Sequence, residues 1–276
     1  LIASATLEEH WDHLRQFLLI LAENGLQLNP AKCVFAATSL KFLGHRVDAD
    51  GVAPLTKNIE AVRVFPRPFD IKGLQRFLGM VNFYRRFMPG LAGLVKPLTD
   101  LLRGSPTQLE WTPEAETAFD AAKAALKDCT VLAHPRPNSI LSLAVDASDT
   151  HVGGVLQQLD DRSWRPLAFF SRKLSTAEEK YSTFDRELLA AFSAIRHFRY
   201  LLEGRNFRLN TDHKPLVTAL TRVTAPLSGR QQRQLSVISE FTTDIHYTPG
   251  PSNVVADALS RPTYVGTVQK STLKNV

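Results

Sequence analysis

Four carboxylates stand in local contexts suited to one divalent-metal phosphodiesterase site. Asp146 follows the strand-like run Ile140–Val145, and Asp212 follows a second one, Phe207–Thr211. Glu187 lies in the helical run Ser182–Phe192, and Asp257 in Asn253–Arg261. Hydrolysis of a phosphodiester by two metals needs a rigid cluster of hard oxygen ligands around ions roughly 3.5–4 Å apart, one activating water and one stabilising the leaving oxygen. Asp and Glu are the oxygen donors that Mg²⁺ or Mn²⁺ prefers. Taken singly, an Asp at a strand end is more often a cap or turn residue, and a helical Glu more often solvated. Four such residues in matching contexts reverse that judgement.

The elements that must position them follow from periodicity. Leu141–Asp146, Gly153–Leu159 and Trp164–Phe170 read as three consecutive strands, with a turn at Asp160-Asp161. A long helix is expected from Thr176 or Ser182 to Leu202, with Ser175-x-x-Glu178 as a candidate capping box and Gly204 as its stop. A fourth strand reaches Asp212. Helical segments follow near Pro215–Leu220 and Arg230–Phe241, then a fifth strand at Thr243–Tyr247 and a last helix with Asp257. The order βββ-α-β-α-β-α implies an α/β layer on a mixed five-stranded sheet with flanking helices. Asp146 and Asp212 meet if their strands lie side by side and parallel, with the long helix as crossover. Leu188, Leu189, Phe192 and Ile195 then anchor that helix, and Glu187 descends over the strand ends. Asp257 closes the cluster.

Upstream, an α+β segment precedes this layer. Leu14, Phe17, Leu18 and Leu21 form the apolar stripe of a first helix, Leu7–Asn24, ended at Asn24-Gly25. A hairpin is expected over Leu40–Val52 with its turn at Asp48–Gly51. Leu74, Phe77, Leu78, Val81 and Tyr84 make a second helical stripe, and Ala115–Leu126 a further Ala-rich helix. His134-Pro-Arg-Pro137 is a stiff connector. The divisions expected are 1–54, 55–106, 107–137, 138–261 and a polar tail at 262–276.

The 276 residues carry a net charge of +6 and are 44% hydrophobic, enough apolar material for two cores. The charge is local: residues 63–103 hold eight Lys/Arg against only Asp70 and Asp100. An anionic partner follows. Arg76, Arg85 and Arg86, with Phe83, Tyr84 and Phe87, form a candidate surface for a phosphate backbone. The alternative is a charged face over a helical core. Cys33 and Cys129 are the only cysteines, which excludes a disulfide framework and argues against structural zinc. A reduced, intracellular compartment fits. No apolar run approaches the roughly 20 residues of a spanning helix. His10 and His13 share a helix face without a third ligand and are read as solvated. His213 is assigned either to proton transfer or substrate contact, or to local packing. Asp149 and Asp185 are read as a turn residue and a helix cap, Trp111 as packing on the connector helix, and Gly153-Gly154 as a tight strand entry.

These motifs resemble a known family. Asp146-Ala-Ser, Ser171-Arg-Lys-Leu174, Tyr181–Ala190, Thr211-Asp-His-Lys-Pro-Leu216 and Pro249–Arg261 resemble the ribonuclease H domain of gypsy-type LTR retrotransposon polyproteins. Phe42-Leu-Gly-His45 resembles the primer-grip hairpin of the same reverse transcriptases, and Leu74–Phe87 with Lys96-Pro-Leu-Thr99 their thumb. The resemblance spans roughly residues 1–261 in order. It implies that Asp146, Glu187, Asp212 and Asp257 hold two ions, and that the RNA strand of an RNA–DNA hybrid is cut, RNA being told from DNA by its 2′-hydroxyls. It places Tyr247 near the site where cellular relatives carry a mobile His. It also implies a template-primer nucleic acid partner, and a parent polyprotein whose polymerase segment, with its Tyr-x-Asp-Asp motif, precedes Leu1. This stretch is therefore not expected to polymerise DNA. A cytoplasmic virus-like particle is the location implied for an active element. The alternative is an inert nucleic-acid-binding remnant or subunit of a reverse transcriptase.

Overall fold

The computed structural model describes residues 1–104, 106–221, 227–250 and 253–260. Pro251, Ser252 and Arg261 of the motif Pro249–Arg261 and the polar tail 262–276 lie outside them. The chain divides into two compact units, Leu1–Thr38 and Ser39 onward. The first is built on α1 (Leu7–Glu23), capped by Thr6, whose hydroxyl accepts from the Glu9 amide at 3.2 Å. Its two histidines, His10 and His13, share the Ser4 hydroxyl at 3.1 and 2.9 Å.

The second unit opens with a meander: β1 (Ser39–Phe42), β2 (His45–Asp48) and β3 (Gly51–Pro54), all antiparallel. The expected single turn is joined by a second, at Leu43-Gly44, where both residues have positive φ (46° and 82°). That is the backbone a two-residue hairpin turn requires, and Gly44 supplies it without a Cβ penalty. Next come α2 (Thr56–Arg63), α3 (Ile71–Phe83), α4 (Leu91–Leu94), α5 (Lys96–Asp100) and α6 (Pro113–Ala125). Asp70 caps α3 by accepting from Gly73 at 2.8 Å, and Thr112 with Pro113 opens α6. Trp111 packs edge-on against Phe119 of α6 at 5.6 Å and donates to the Pro68 carbonyl, as its place before the connector helix suggested.

The main sheet holds β4 (Leu141–Ala147), β5 (His151–Asp160), β6 (Ser163–Lys173), β7 (Phe207–Thr211) and β8 (Ile245–Tyr247), in the order β6-β5-β4-β7-β8. The first three are antiparallel, whereas β4–β7 and β7–β8 pair in parallel. The β5–β6 ladder slips at Leu156/Gln157, where Pro166 on β6 has no N–H to donate. Between β6 and β7 run α7 (Thr183–His197) and α8 (Arg199–Leu202). Around β8 lie α9 (Lys214–Thr221), α10 (Gly229–Phe241) and α11 (Val254–Ser260). The long helix begins later than its earliest expected start. Ser175 and Glu178 do bond reciprocally, but only a single 3₁₀ turn, Glu178–Lys180, forms there. Ser182 caps α7 itself, accepting from Asp185 at 3.1 Å.

Each sheet face carries its own core. Leu141, Leu143, Val145 and Leu209 pack against Leu188, Ala191, Ala194 and Ile195 of α7. On the other face Val155 and Phe169 join Val255 and Leu259 of α11 to the helical layer of Leu74, Phe77, Phe87 and Phe119. The two-residue side-chain period of a strand makes this possible, because neighbours on β4 point to opposite faces. No helix among the described residues is long and apolar enough to cross a membrane.

Candidate metal centre

Parallel pairing of β4 with β7 sets Ala144 opposite Asn210. Two residues further along each chain stand Asp146 and Asp212, so the register alone brings them together on one face. The crossover α7 is fixed by its buried apolar stripe, and that stripe leaves Glu187 pointing at the same strand ends. Ligand oxygens of Asp146, Glu187 and Asp212 all lie within 4.8 Å of one another. Asp146 is 6% and Glu187 4% exposed, while Asp212 is half-buried.

Packing three carboxylates this tightly has an electrostatic cost. Burial, then the charges of Asp146 and Asp212, push the Glu187 carboxyl up to about 9, although the Ala147 backbone hydrogen bond opposes the rise. Its Oε2 is buried without a hydrogen-bond partner. A buried carboxyl oxygen left without a partner beside two further carboxyl groups is what a cation would satisfy. The donor set, all carboxylate oxygen, suits Mg²⁺ or Mn²⁺.

Asp257 is placed differently. It is half-buried on α11 and is not one of the three carboxylates that converge. Its helix is nevertheless tied to the cluster. Ser260, fully buried one turn later, donates its hydroxyl to Asp146 Oδ2. Asn253, at the helix start, donates to the Val145 carbonyl at 3.1 Å. Ser148 Oγ donates to the Ser260 carbonyl at 2.6 Å. Gly153, paired with Asp146 across the ladder, leaves the space for this contact: a Cβ there would lie 2.6 Å from Leu259 Cβ and 2.9 Å from the Ser260 amide nitrogen. Gly154 does the same on the other face, where its Cβ would approach Ala194 of α7 to 3.2 Å. The two glycines thus let one helper helix settle on each side of the sheet. Beyond β8, Gly250 passes 3.3 Å from Asp212 Oδ2, measured to where its Cβ would stand.

The remaining candidates scatter. His213 packs its ring 6.0 Å from Phe184, with Nδ1 buried and unpartnered, and burial lowers its pKa against the pull of Asp212. Tyr247 is 42% exposed, with Lys214 Nζ 4.8 Å over its ring. The basic residues of the helical layer do not share one face. Arg76 lies beside Phe83 and Tyr84 between α2 and α3. Arg86 sits over Phe87 at 5.3 Å and influences His45. Arg85 turns toward β6 and α7. Asp149 is 89% exposed and binds Arg186 at 2.5 Å. Sequence reasoning passed over Ser260 and Asn253. Their signal was present in retrospect, since both flank Asp257 at one helical turn, but nothing local said which strand they would touch.

Residues 111–209 match the family model described as an RNase H-like domain found in reverse transcriptase. Over that stretch the chain is similar to the RNase H-like domains of reverse transcriptases. Over 264 residues, 95% of its length, it is 36% identical to the Tf2-3 and Tf2-4 transposon polyproteins of Schizosaccharomyces pombe. It spans 20% of the length of those relatives. Among solved structures it resembles the foamy viral protease-reverse transcriptase, both in complex with double-stranded DNA (TM-score 0.74, 20% identity) and in complex with RNA/DNA hybrid (TM-score 0.73, 22% identity). Each match covers 90% of this chain, and 44% and 34% of the respective viral chains. The mixed sheet with flanking helices is therefore similar in fold to these reverse-transcriptase structures, and the residues matched by the family model include Asp146 and Glu187.

Proposed function

We propose that this chain is the ribonuclease H portion of a retrotransposon polyprotein and hydrolyses the RNA strand of RNA–DNA hybrids. The observation that carries this reading is the convergence of Asp146, Glu187 and Asp212 within 4.8 Å, with a buried Glu187 oxygen left unpartnered. Asp146, Glu187 and Asp212 would hold two Mg²⁺ or Mn²⁺ ions, with Asp257 as a fourth ligand from α11. Such ions, when bound, lower the pKa of a ligated water and stabilise charge on the leaving oxygen. The chain's own contribution is positional. Ser260 orients Asp146 through its hydroxyl, as hydrogen-bonded partners of metal ligands commonly do. The β4–β7 register fixes the spacing of Asp146 and Asp212, and α7 excludes water from Glu187. The hybrid is the proposed substrate because a foamy viral neighbour was solved with an RNA/DNA hybrid and because the helical layer is rich in Arg and Lys. The polymerase segment of the parent polyprotein, the template-primer and a virus-like particle are its proposed context.

The test is cleavage of end-labelled RNA annealed to DNA, with Mg²⁺ or Mn²⁺ and with chelator, beside Asp146→Asn. Metal-dependent cutting confined to the hybrid and lost in the variant supports the reading. Folded wild-type protein that binds the hybrid and leaves it intact would overturn it in favour of an inert binding remnant.

A further inference from the structure

A cavity of about 380 Å³ lies where the helical layer meets the RNase H-like sheet, remote in role from the carboxylates. Its walls come from α3, α4, α5, β6 and the last turn of α7. The floor is apolar, with Val81, Leu91, Phe169 and Phe170 among its lining. The rim is cationic. Arg85 stands there exposed, with no ion-pair partner among the described residues. Lys173 lines the same rim but shares Asp100 with Lys96, at 3.0 and 3.1 Å, so that one carboxylate serves two ammonium groups. His197, its ring tilted against Phe170 with centroids 4.8 Å apart, completes the mouth. Positive charge is therefore in excess beside an apolar hollow whose size falls within that of small-ligand sites.

We propose that this seam cavity binds a small carboxylate with an aromatic body, the ring seated against the half-buried Leu78, Val95 and Phe170 and the carboxylate on Arg85. Arg suits this task because its planar guanidinium can grip both oxygens of a carboxylate, whereas a neutral ring gains only the apolar floor. Occupancy would join the helical layer to β6 and α7, the helix that bears Glu187.

The experiment is isothermal titration of the whole chain with naphthoate, beside its neutral analogue naphthamide. One-to-one binding is expected, with naphthoate at least about tenfold tighter, which is the loss typical of one charge-assisted hydrogen bond. Arg85→Ala should abolish the preference and leave naphthamide affinity unchanged. Arg85→Lys should keep part of it. Ala92→Leu, which fills the hollow, should weaken both compounds. If Ala92→Leu fails to fold, the two Arg85 variants decide alone, since that exposed side chain contributes little to the core. Equal affinity for acid and amide, a preference that survives Arg85→Ala, or no saturable binding would each overturn the proposal. None of these readouts involves nuclease activity, so they stand apart from the function proposed above.

Discussion

Replacing Glu187 with Gln should stabilise the metal-free protein at neutral pH while removing its response to Mg²⁺. In the folded chain the Glu187 carboxyl titrates at about 9, against 4.5 for an ordinary Glu. Between those values the folded state holds a proton that the unfolded state has released, so stability falls as pH rises. Below 4.5 both states are protonated and nothing is lost. At pH 7 the loss is roughly 3 kcal/mol, from about 2.5 pH units at 1.36 kcal/mol each. Gln is neutral in both states, and its amide can donate to the neighbouring carboxylates. Glu187→Gln should therefore gain roughly 3 kcal/mol at pH 7, or about 6–12 °C in Tm for a chain of this size. The gain should shrink below about 1 kcal/mol near pH 5. Thermal melts of both proteins from pH 5 to 8.5, with and without millimolar Mg²⁺, check this. Mg²⁺ should raise the wild-type Tm, since an ion that binds only the folded state stabilises it by mass action. The variant should respond much less. A Tm at pH 7 that is unchanged or lowered by the substitution, with parallel pH profiles, would refute the electrostatic account. Equal Mg²⁺ shifts would remove Glu187 from the ligand set.

Other consequences concern the shell around the carboxylates. Gly153→Ala should cost roughly 1–3 kcal/mol, because its Cβ would overlap Leu259 and the Ser260 backbone, and α11 must shift. Denaturant melts would show it, with hybrid cleavage falling in parallel. Ser260→Ala should leave the fold nearly intact but weaken Mg²⁺ binding about 10–100-fold, read by titrating activity against metal concentration. Asn253→Ala should destabilise by about 1–3 kcal/mol, since it leaves the buried Val145 carbonyl unpaired. Binding of the hybrid should weaken steeply with salt, and Arg86→Ala should reduce that slope by about one if Arg86 neutralises a phosphate.

The parts of this molecule legible in its sequence are those governed by period and by short-range chemistry. Strand-like runs placed β4, β5 and β6, and the long helix before β7 was suited to a parallel crossover; the meeting of Asp146 with Asp212 was expected on the condition that β4 and β7 pair in parallel, which they do. The apolar stripe of α7 did the same for Glu187. Capping was ambiguous, because Ser175-x-x-Glu178 and Ser182-x-x-Asp185 both satisfy the local rule and only tertiary packing selects the second for the long helix. The basic run at residues 63–103 was legible as charge but not as a surface. Arg76, Arg85 and Arg86 diverge because α3 ends at Phe83 and the following 3₁₀ turn rotates the last two. Least legible was Gly153. Read locally, a Gly-Gly pair after a strand-end Asp is a tight entry into the next strand. Its role becomes visible only when α11, more than 100 residues later in the chain, arrives on that face and needs the missing Cβ to bring Ser260 onto Asp146. Contacts of that range carry no periodic or motif signal, because the residue that benefits and the residue that makes room are chosen by the fold as a whole. A candidate site of this kind is thus readable in its carboxylates, which stand in recognisable local contexts, and much less so in the clearances that let those carboxylates meet.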